Sequence, residues 1–90
     1  MDVVWSDEAR ADRDAILDFL IGRNPVAAVR IAEAMVLAAD SLSTFPERGR
    51  PGRVLGTREL ATVLPYVIVY GVHQGRVVVL RVWHGAQNRP

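Results

Sequence analysis

The sequence predicts an α+β fold of order β-α-α-β-β-β, with a helical hairpin packed on one face of a small antiparallel sheet. Three observations predict it. The stretch Val63–Gln87 contains two β-branched runs, Val63–Val72 and Arg76–Trp83, joined by a short turn of His73, Gln74 and Gly75. Val, Ile and Tyr suit a pleated, packed surface, and a Gly-containing turn between two such runs signals a hairpin. Upstream of it, two segments of helical periodicity meet at Asn24-Pro25. Finally, Val3–Trp5 is too short to stand alone but long enough to join a sheet as an extra strand.

Within the second run, Val78, Leu80 and Val82 alternate with Val77, Val79, Arg81 and Trp83. A strand sends those sets to opposite faces. The first set is purely aliphatic, so it is assigned to the core, with Leu80 fully buried against the helices.

Taken in order, Ser6 begins the first helix as N-cap, and Asp7 and Glu8 place negative charge in its first turn, where the helix dipole favours it. Ala9, Ile16, Phe19 and Leu20 make an inward stripe, while Arg10, Asp14 and Asp18 face water. Gly22 closes this helix. Asn24 caps the second helix with Pro25 at its first position, and the helix is expected to run to Ser41–Ser43. Ala28, Ile31, Ala32, Met35, Ala38, Ala39 and Leu42 form its core face. Val29, Val36 and Leu37 lie off that stripe and suit a partner surface. Residues 45–52 read as a loop by their Pro and Gly content. Val54–Thr62 is a weaker strand whose Gly56 marks a bulge or an edge, with Arg58 and Glu59 on opposite faces.

Ninety residues make one domain, 1–90, near the lower end of what folds on its own core. A hydrophobic fraction of 50% is generous for that size and points to a partner that covers some of it. The chain has no Cys, which excludes a disulfide framework and fits a reducing cytosol. MDVVWSDEA lacks a basic region followed by an apolar run, and no stretch reaches the length of a membrane span. A cytoplasmic location without membrane attachment is therefore expected. Eleven Arg, no Lys and ten acids give a formal charge of +1. Seven of the Arg but only two of the acids lie after residue 45, so the C-terminal half is basic. That suits an anionic partner or an acidic binding peptide. Neither a Gly-rich phosphate loop, a metal-ligand spacing nor a Ser nucleophile motif is present, so no cofactor and no metal are expected.

An ordered set of short motifs spans nearly the whole chain. It comprises Ala9–Phe19, Asn24-Pro25 with Ala27-Ala28, Leu42 with Phe45-Pro46, and Gly49-Arg50-Pro51. It continues with Gly56-Thr57-Arg58-Glu59-Leu60, Pro65–Tyr70 and Arg81-Val82-Trp83-His84-Gly85-Ala86-Gln87. With these, the chain resembles the ParE/RelE superfamily of toxins from bacterial toxin–antitoxin modules, and within it the ParE-like branch, once called plasmid stabilisation proteins. Arg13 departs from the aliphatic residue usual at its position, and its stem is expected to lie over the core or its head to pair with an acid.

The resemblance implies that the first strand lies beside the last, which makes Val77–Trp83 an interior strand. It also implies a toxin held silent in a hetero-oligomer with a cognate ParD-like antitoxin. ParE-like members act on DNA gyrase, whereas RelE-like members cut mRNA on the ribosome. Cleavage through the 2′-hydroxyl needs a proton acceptor, a proton donor and cations on the phosphate. Arg58, Arg81 and His84 fall at matching places, but no Tyr follows residue 70 and there is no Lys. If Arg58 is structural instead, it pairs with a carboxylate such as Glu59 or Glu47. Gyrase inhibition by binding is the favoured reading, with no sequence-specific DNA binding by the chain itself. The target-binding set is then Arg58, Arg81, Trp83, His84 and Gln87, and the antitoxin-binding set is Val29, Val36, Leu37, Arg50 and Arg53. His73 is expected in solvent, and Tyr66 and Tyr70 in the core.

Overall fold

The computed structural model of the chain describes residues 1–85. Its elements are β1 (Asp2–Trp5), α1 (Asp7–Ile21), α2 (Pro25–Ser41), β2 (Arg50–Pro51), β3 (Thr57–Val63), β4 (Tyr66–His73) and β5 (Arg76–His84). The strands form one sheet in the order β1-β5-β4-β3-β2. β5 is thus interior, with β1 parallel beside it and every other pair antiparallel. The expected antiparallel sheet therefore contains one parallel pair. It also gains β2, inside the segment expected to be loop. Pro51 is tolerated there because β2 is an edge strand, where a missing N–H breaks no ladder. The expected strand at Val54 starts only at Thr57, after Gly56 turns the chain with φ +85°.

Both helices start where their caps dictate. The Ser6 hydroxyl accepts the Ala9 N–H at 3.0 Å, and the Asn24 side chain accepts the Ala27 N–H at 3.1 Å with Pro25 following. α1 lies against β5 and α2 against β3. Ala9, Met35, Ala38, Ala39 and Leu42 meet Leu60, Val63, Tyr66, Ile68, Tyr70, Val77, Val79 and Val82 in one core. Val3, Trp5, Ile16 and Ile31 pack around its margin. Phe19 does not join them, contrary to the expected stripe: it is 57% exposed, with the Arg23 guanidinium 4.3 Å from its ring centroid. The stripe follows Ala9, Ile16 and Leu20, which leaves Phe19 at its edge beside the helical turn. Arg13 pairs with Asp14 at 3.2 Å, the second of the two expectations, and its guanidinium also lies 5.2 Å over the Trp5 ring.

The β4–β5 hairpin turns through Gln74 (φ 51°) and Gly75 (φ 75°). Two consecutive positive φ values are the signature of the type I′ turn, whose twist matches its strands. Its tip pairs His73 with Arg76, and the register runs on to Tyr70 with Val79. There it slips: Val69 pairs with Arg81, leaving Leu80 as an extra residue. A β-bulge of this kind changes which face the following residues occupy. Val77, Val79 and Val82 all reach the core, although the last two are three positions apart. Leu80, expected fully buried under the helices, instead lies on the far face beside Gly71 and is only half-buried.

The bulge is held by the beginning of α1. Ser6 N–H donates to the Val79 carbonyl at 2.9 Å and the Ser6 hydroxyl to the Leu80 carbonyl at 3.0 Å. One turn and a half later, Asp12 Oδ2 accepts the Val82 N–H at 2.9 Å. The Ser6 N–H bond is the last rung of the parallel β1–β5 ladder, and the β5 groups beyond the end of β1 find side-chain partners on α1 and its cap. A second clasp closes the other end of the core. The Tyr70 hydroxyl accepts the Gly49 N–H at 2.8 Å and donates to the Pro46 carbonyl at 2.8 Å. A Cβ at Gly49 would fall 2.8 Å from the Tyr70 ring, so only glycine fits under it.

Leu42 is wholly buried, so Leu42→Ala should cost about 2–5 kcal/mol. Leu80→Ala removes the same atoms from a half-buried site and should cost clearly less in the same urea titration; equal losses would put Leu80 back in the core. Tyr70→Phe leaves the Gly49 N–H and Pro46 carbonyl without their partner and should lower stability by about 1–3 kcal/mol. An unchanged denaturation midpoint would show that water replaces the hydroxyl at no cost.

Candidate functional site

The residues that chemistry would need at the sheet's C-terminal end do not converge. Arg58 pairs with Tyr70 and Arg81 with Val69. Tyr70 and Val69 are consecutive on β4, so their side chains leave opposite faces, and the two arginines are divided between the faces with them. His84 pairs with Tyr66, four residues from Tyr70. At about 3.3 Å per residue this separates Arg58 from His84 by roughly 13 Å along the strands, before the width of β4 is counted.

Each arginine is also engaged. Arg58 donates through Nη1 to the carbonyls of Gly49 at 2.8 Å and Glu47 at 3.3 Å. Its partners are backbone oxygens of the 45–49 segment, rather than the carboxylate of Glu59 or Glu47 expected from sequence. Glu59 is buried at 5% exposure on the opposite face, where it accepts Arg50 Nη2 at 3.1 Å and the Arg53 N–H at 3.4 Å. Arg81 forms a two-pronged pair with Asp12: Nε donates to Oδ2 at 2.7 Å and Nη2 to Oδ1 at 3.1 Å. Its pKa is raised above the ordinary arginine value, chiefly by these hydrogen bonds. The charges of Asp12 and Glu8 add to the shift, and desolvation opposes it.

Arg81 lies 5.4 Å over the Trp83 ring, and His84 meets Tyr66 edge-on with centroids 5.8 Å apart. The β5 end is thus a surface of Arg81, Trp83 and the exposed His84. Gln87, expected in the same set, lies outside the described residues. Tyr66 and Tyr70 are core residues and His73 is exposed, as expected. Among the described residues, no cluster of His, Cys, Asp or Glu could hold a metal ion, and no helix is long and apolar enough to cross a membrane.

The second surface is on α2. Val29, Val36 and Leu37 are exposed, the last at 71%, and Val26 extends the stripe towards the helix start. Ala32, Glu33, Val36 and Leu37 line a shallow groove along it. α2 packs on β3, and β2, which carries Arg50, is the edge strand next to β3. The Arg50 side chain and the Arg53 N–H are directed at Glu59.

Asp12, the partner of Arg81, is a residue that apolar periodicity does not single out. A signal for it exists all the same: position 12 is three after Ala9 and four before Ile16, which puts an acid on the inward stripe of α1. A carboxylate at such a position needs a cation or N–H partner.

A family model, "ParE toxin of type II toxin-antitoxin system, parDE", matches residues 3–89. The chain is 46% identical over 85 residues to Toxin RelE2 of Caulobacter vibrioides, covering 94% of this chain and 96% of that protein. It is 36% identical to Putative toxin Y4kP of Sinorhizobium fredii, over 96% of this chain and 90% of that one. Among solved structures, the chromosomal ParDE toxin–antitoxin system from P. aeruginosa superposes with a TM-score of 0.83 at 27% identity, over 93% of this chain and 95% of its own. The shared order of two helices on a five-stranded mixed sheet and a sequence match from the first strand to the last described one agree: the chain belongs to the ParE toxin family of type II toxin–antitoxin systems.

Proposed function

We propose that the protein arrests growth by binding DNA gyrase, and that a cognate ParD-like antitoxin neutralises it. What carries the target reading is the dispersal of Arg58, Arg81 and His84. In-line attack by a 2′-hydroxyl needs base, acid and phosphate-binding cations around one phosphorus. Here the two arginines are on opposite faces and already bonded, and both tyrosines are core residues. A binding inhibitor has no such requirement. It needs an anchored surface, and Arg81 with Trp83 is the kind of Arg–aromatic pair that anchors protein interfaces.

In a supercoiling assay with purified gyrase, the wild-type chain should inhibit. His84→Ala should retain most of that inhibition, and Arg81→Gln should lose it. Removing a true general acid or base costs on the order of 10²–10⁴-fold. A His84→Ala variant that has lost its toxicity, in cells where the wild type produces codon-phased mRNA cuts and no DNA damage, would replace this reading with ribosome-dependent cleavage.

The antitoxin reading rests on the outward stripe of α2. An antitoxin segment that is disordered when free, acidic and amphipathic would lay its apolar side on Val29, Val36 and Leu37. Its acidic residues would also reach Arg50 and Arg53, in and just after the β2 edge strand. The ParDE assembly from P. aeruginosa supports a partner of this kind. Because these side chains are exposed, Val36→Asp with Leu37→Asp should leave the thermal midpoint nearly unchanged. The same pair should weaken the antitoxin complex by at least about thirtyfold, the scale of losing an interface hot spot. Calorimetry giving the wild-type affinity would move the interface off α2.

A further inference from the structure

Arg81 is a cation of the expected target-binding set, and α1 already holds it. Asp12 grips two of its three guanidinium nitrogens, at 2.7 and 3.1 Å. A phosphate would need the same fork of parallel N–H donors. The grip is rigid from the acid's side. Asp12 is 18% exposed, and its Oδ2 also takes the Val82 N–H at 2.9 Å, so the carboxylate cannot turn away without opening the strand. Ser6 separately holds the carbonyls of Val79 and Leu80. The bulge therefore does not need a negative charge at position 12; it needs only one acceptor for Val82.

We propose that Asp12 is a specificity-determining residue: by pairing with Arg81 it withdraws that cation from phosphate and leaves the β5 end a surface for protein. The proposal deepens the gyrase reading and rests on it for its biological sense. It makes a physical claim that can be measured on its own. A planar Arg–carboxylate pair beside an indole offers a partner flat contact area and few free charges. An unpaired arginine in the same place would offer a docking point for a nucleic-acid backbone.

The test is binding of a fluorescent single-stranded RNA of about twenty nucleotides to the full chain, followed by anisotropy across a salt series. Asp12→Asn keeps an oxygen for the Val82 N–H but presents a neutral amide to Arg81. The variant should bind the RNA about tenfold more tightly than wild type, the scale of one recovered charge-assisted contact. Its salt slope should be steeper by roughly 0.7, the increment for one phosphate contact on a single strand. Asp18→Asn, on an exposed position of α1, makes the same change in net charge and should gain much less. Asp12→Asn with Arg81→Gln restores the wild-type net charge and should restore wild-type affinity. A gain equal in Asp12→Asn and Asp18→Asn, or one that survives loss of Arg81, overturns the proposal.

If Asp12→Asn fails to fold by circular dichroism, Arg81→Gln alone decides. Its RNA affinity should stay within about twofold of wild type, because a withdrawn cation contributes no phosphate contact to lose. A tenfold loss would show that Arg81 serves phosphate already. The supercoiling assay on the wild-type chain is read separately: no inhibition there sinks the gyrase reading and leaves the RNA series to judge Asp12.

Discussion

The rest of the structure depends on the pinning of the β5 bulge by the first turns of α1. Without the extra residue, Val79 and Val82 would point to opposite faces, and one of two wholly buried valines would leave the core. With it, both face the helices, and the Leu80 carbonyl and Val82 N–H, which lie past the end of β1, need partners from outside the ladder. Ser6 and Asp12 supply them. The same Ser6 hydroxyl accepts the Ala9 N–H, so one side chain both starts the helix and fixes the strand beside it. A bulge is costly in isolation and stable when a neighbouring element is built to satisfy it. Here that element comes directly after β1, the strand parallel to β5, so the chain reaches the bulge with no long connection.

A consequence is that the two ends of the sheet are held by separate clasps. The bulge turns Leu80 and Arg81 outward together and brings Arg81 within reach of α1. At the opposite end, the Tyr70 hydroxyl and the Arg58 guanidinium tie the 46–49 segment onto the sheet through four hydrogen bonds. These two clasps use the groups that a nuclease would want free. The outward stripe of α2, by contrast, is left exposed. Exposed apolar side chains grouped along one helix mark an interaction surface more often than chance does.

The element order is readable in the sequence because each helix carries its own start signal and the hairpin has a Gly-containing turn. The inward face of α2 is readable because Ala28, Met35, Ala38, Ala39 and Leu42 keep helical spacing. β5 misleads for a physical reason. Alternation assumes a period of two, and a single inserted residue inverts every assignment on one side of it. Alternation places Val82 correctly and Leu80 wrongly, since the inversion lies between them. No local residue announces this bulge: Val78, Val79 and Leu80 are all good strand formers. The clue is on another element, in Asp12 on the inward stripe of α1. The short β2 is equally hidden, because Arg50-Pro51 pairs only after the rest of the sheet has formed an edge for it.

The fold also changes the meaning of the basic C-terminal half. Along the chain, seven arginines after residue 45 suggest a surface waiting for an anion. Once folded, several of those among the described residues already donate to acceptors within the chain: Arg48 to the Ser41 hydroxyl, Arg50 to Glu59, Arg58 to two carbonyls and Arg81 to Asp12. That is the use for which arginine differs from lysine, since a planar group with five donors can hold a loop, a strand edge and a carboxylate in fixed geometry. A chain of this size has little core to spare for holding its loops, and cross-element guanidinium bonds do part of that task. What the exclusive use of arginine encodes here is therefore first a set of internal ties. The long-range field of the basic half persists, because the ties of Arg48 and Arg58 end on neutral oxygens and leave the charge uncompensated. A field of this kind steers association, whereas packed apolar contact sets how long a partner stays.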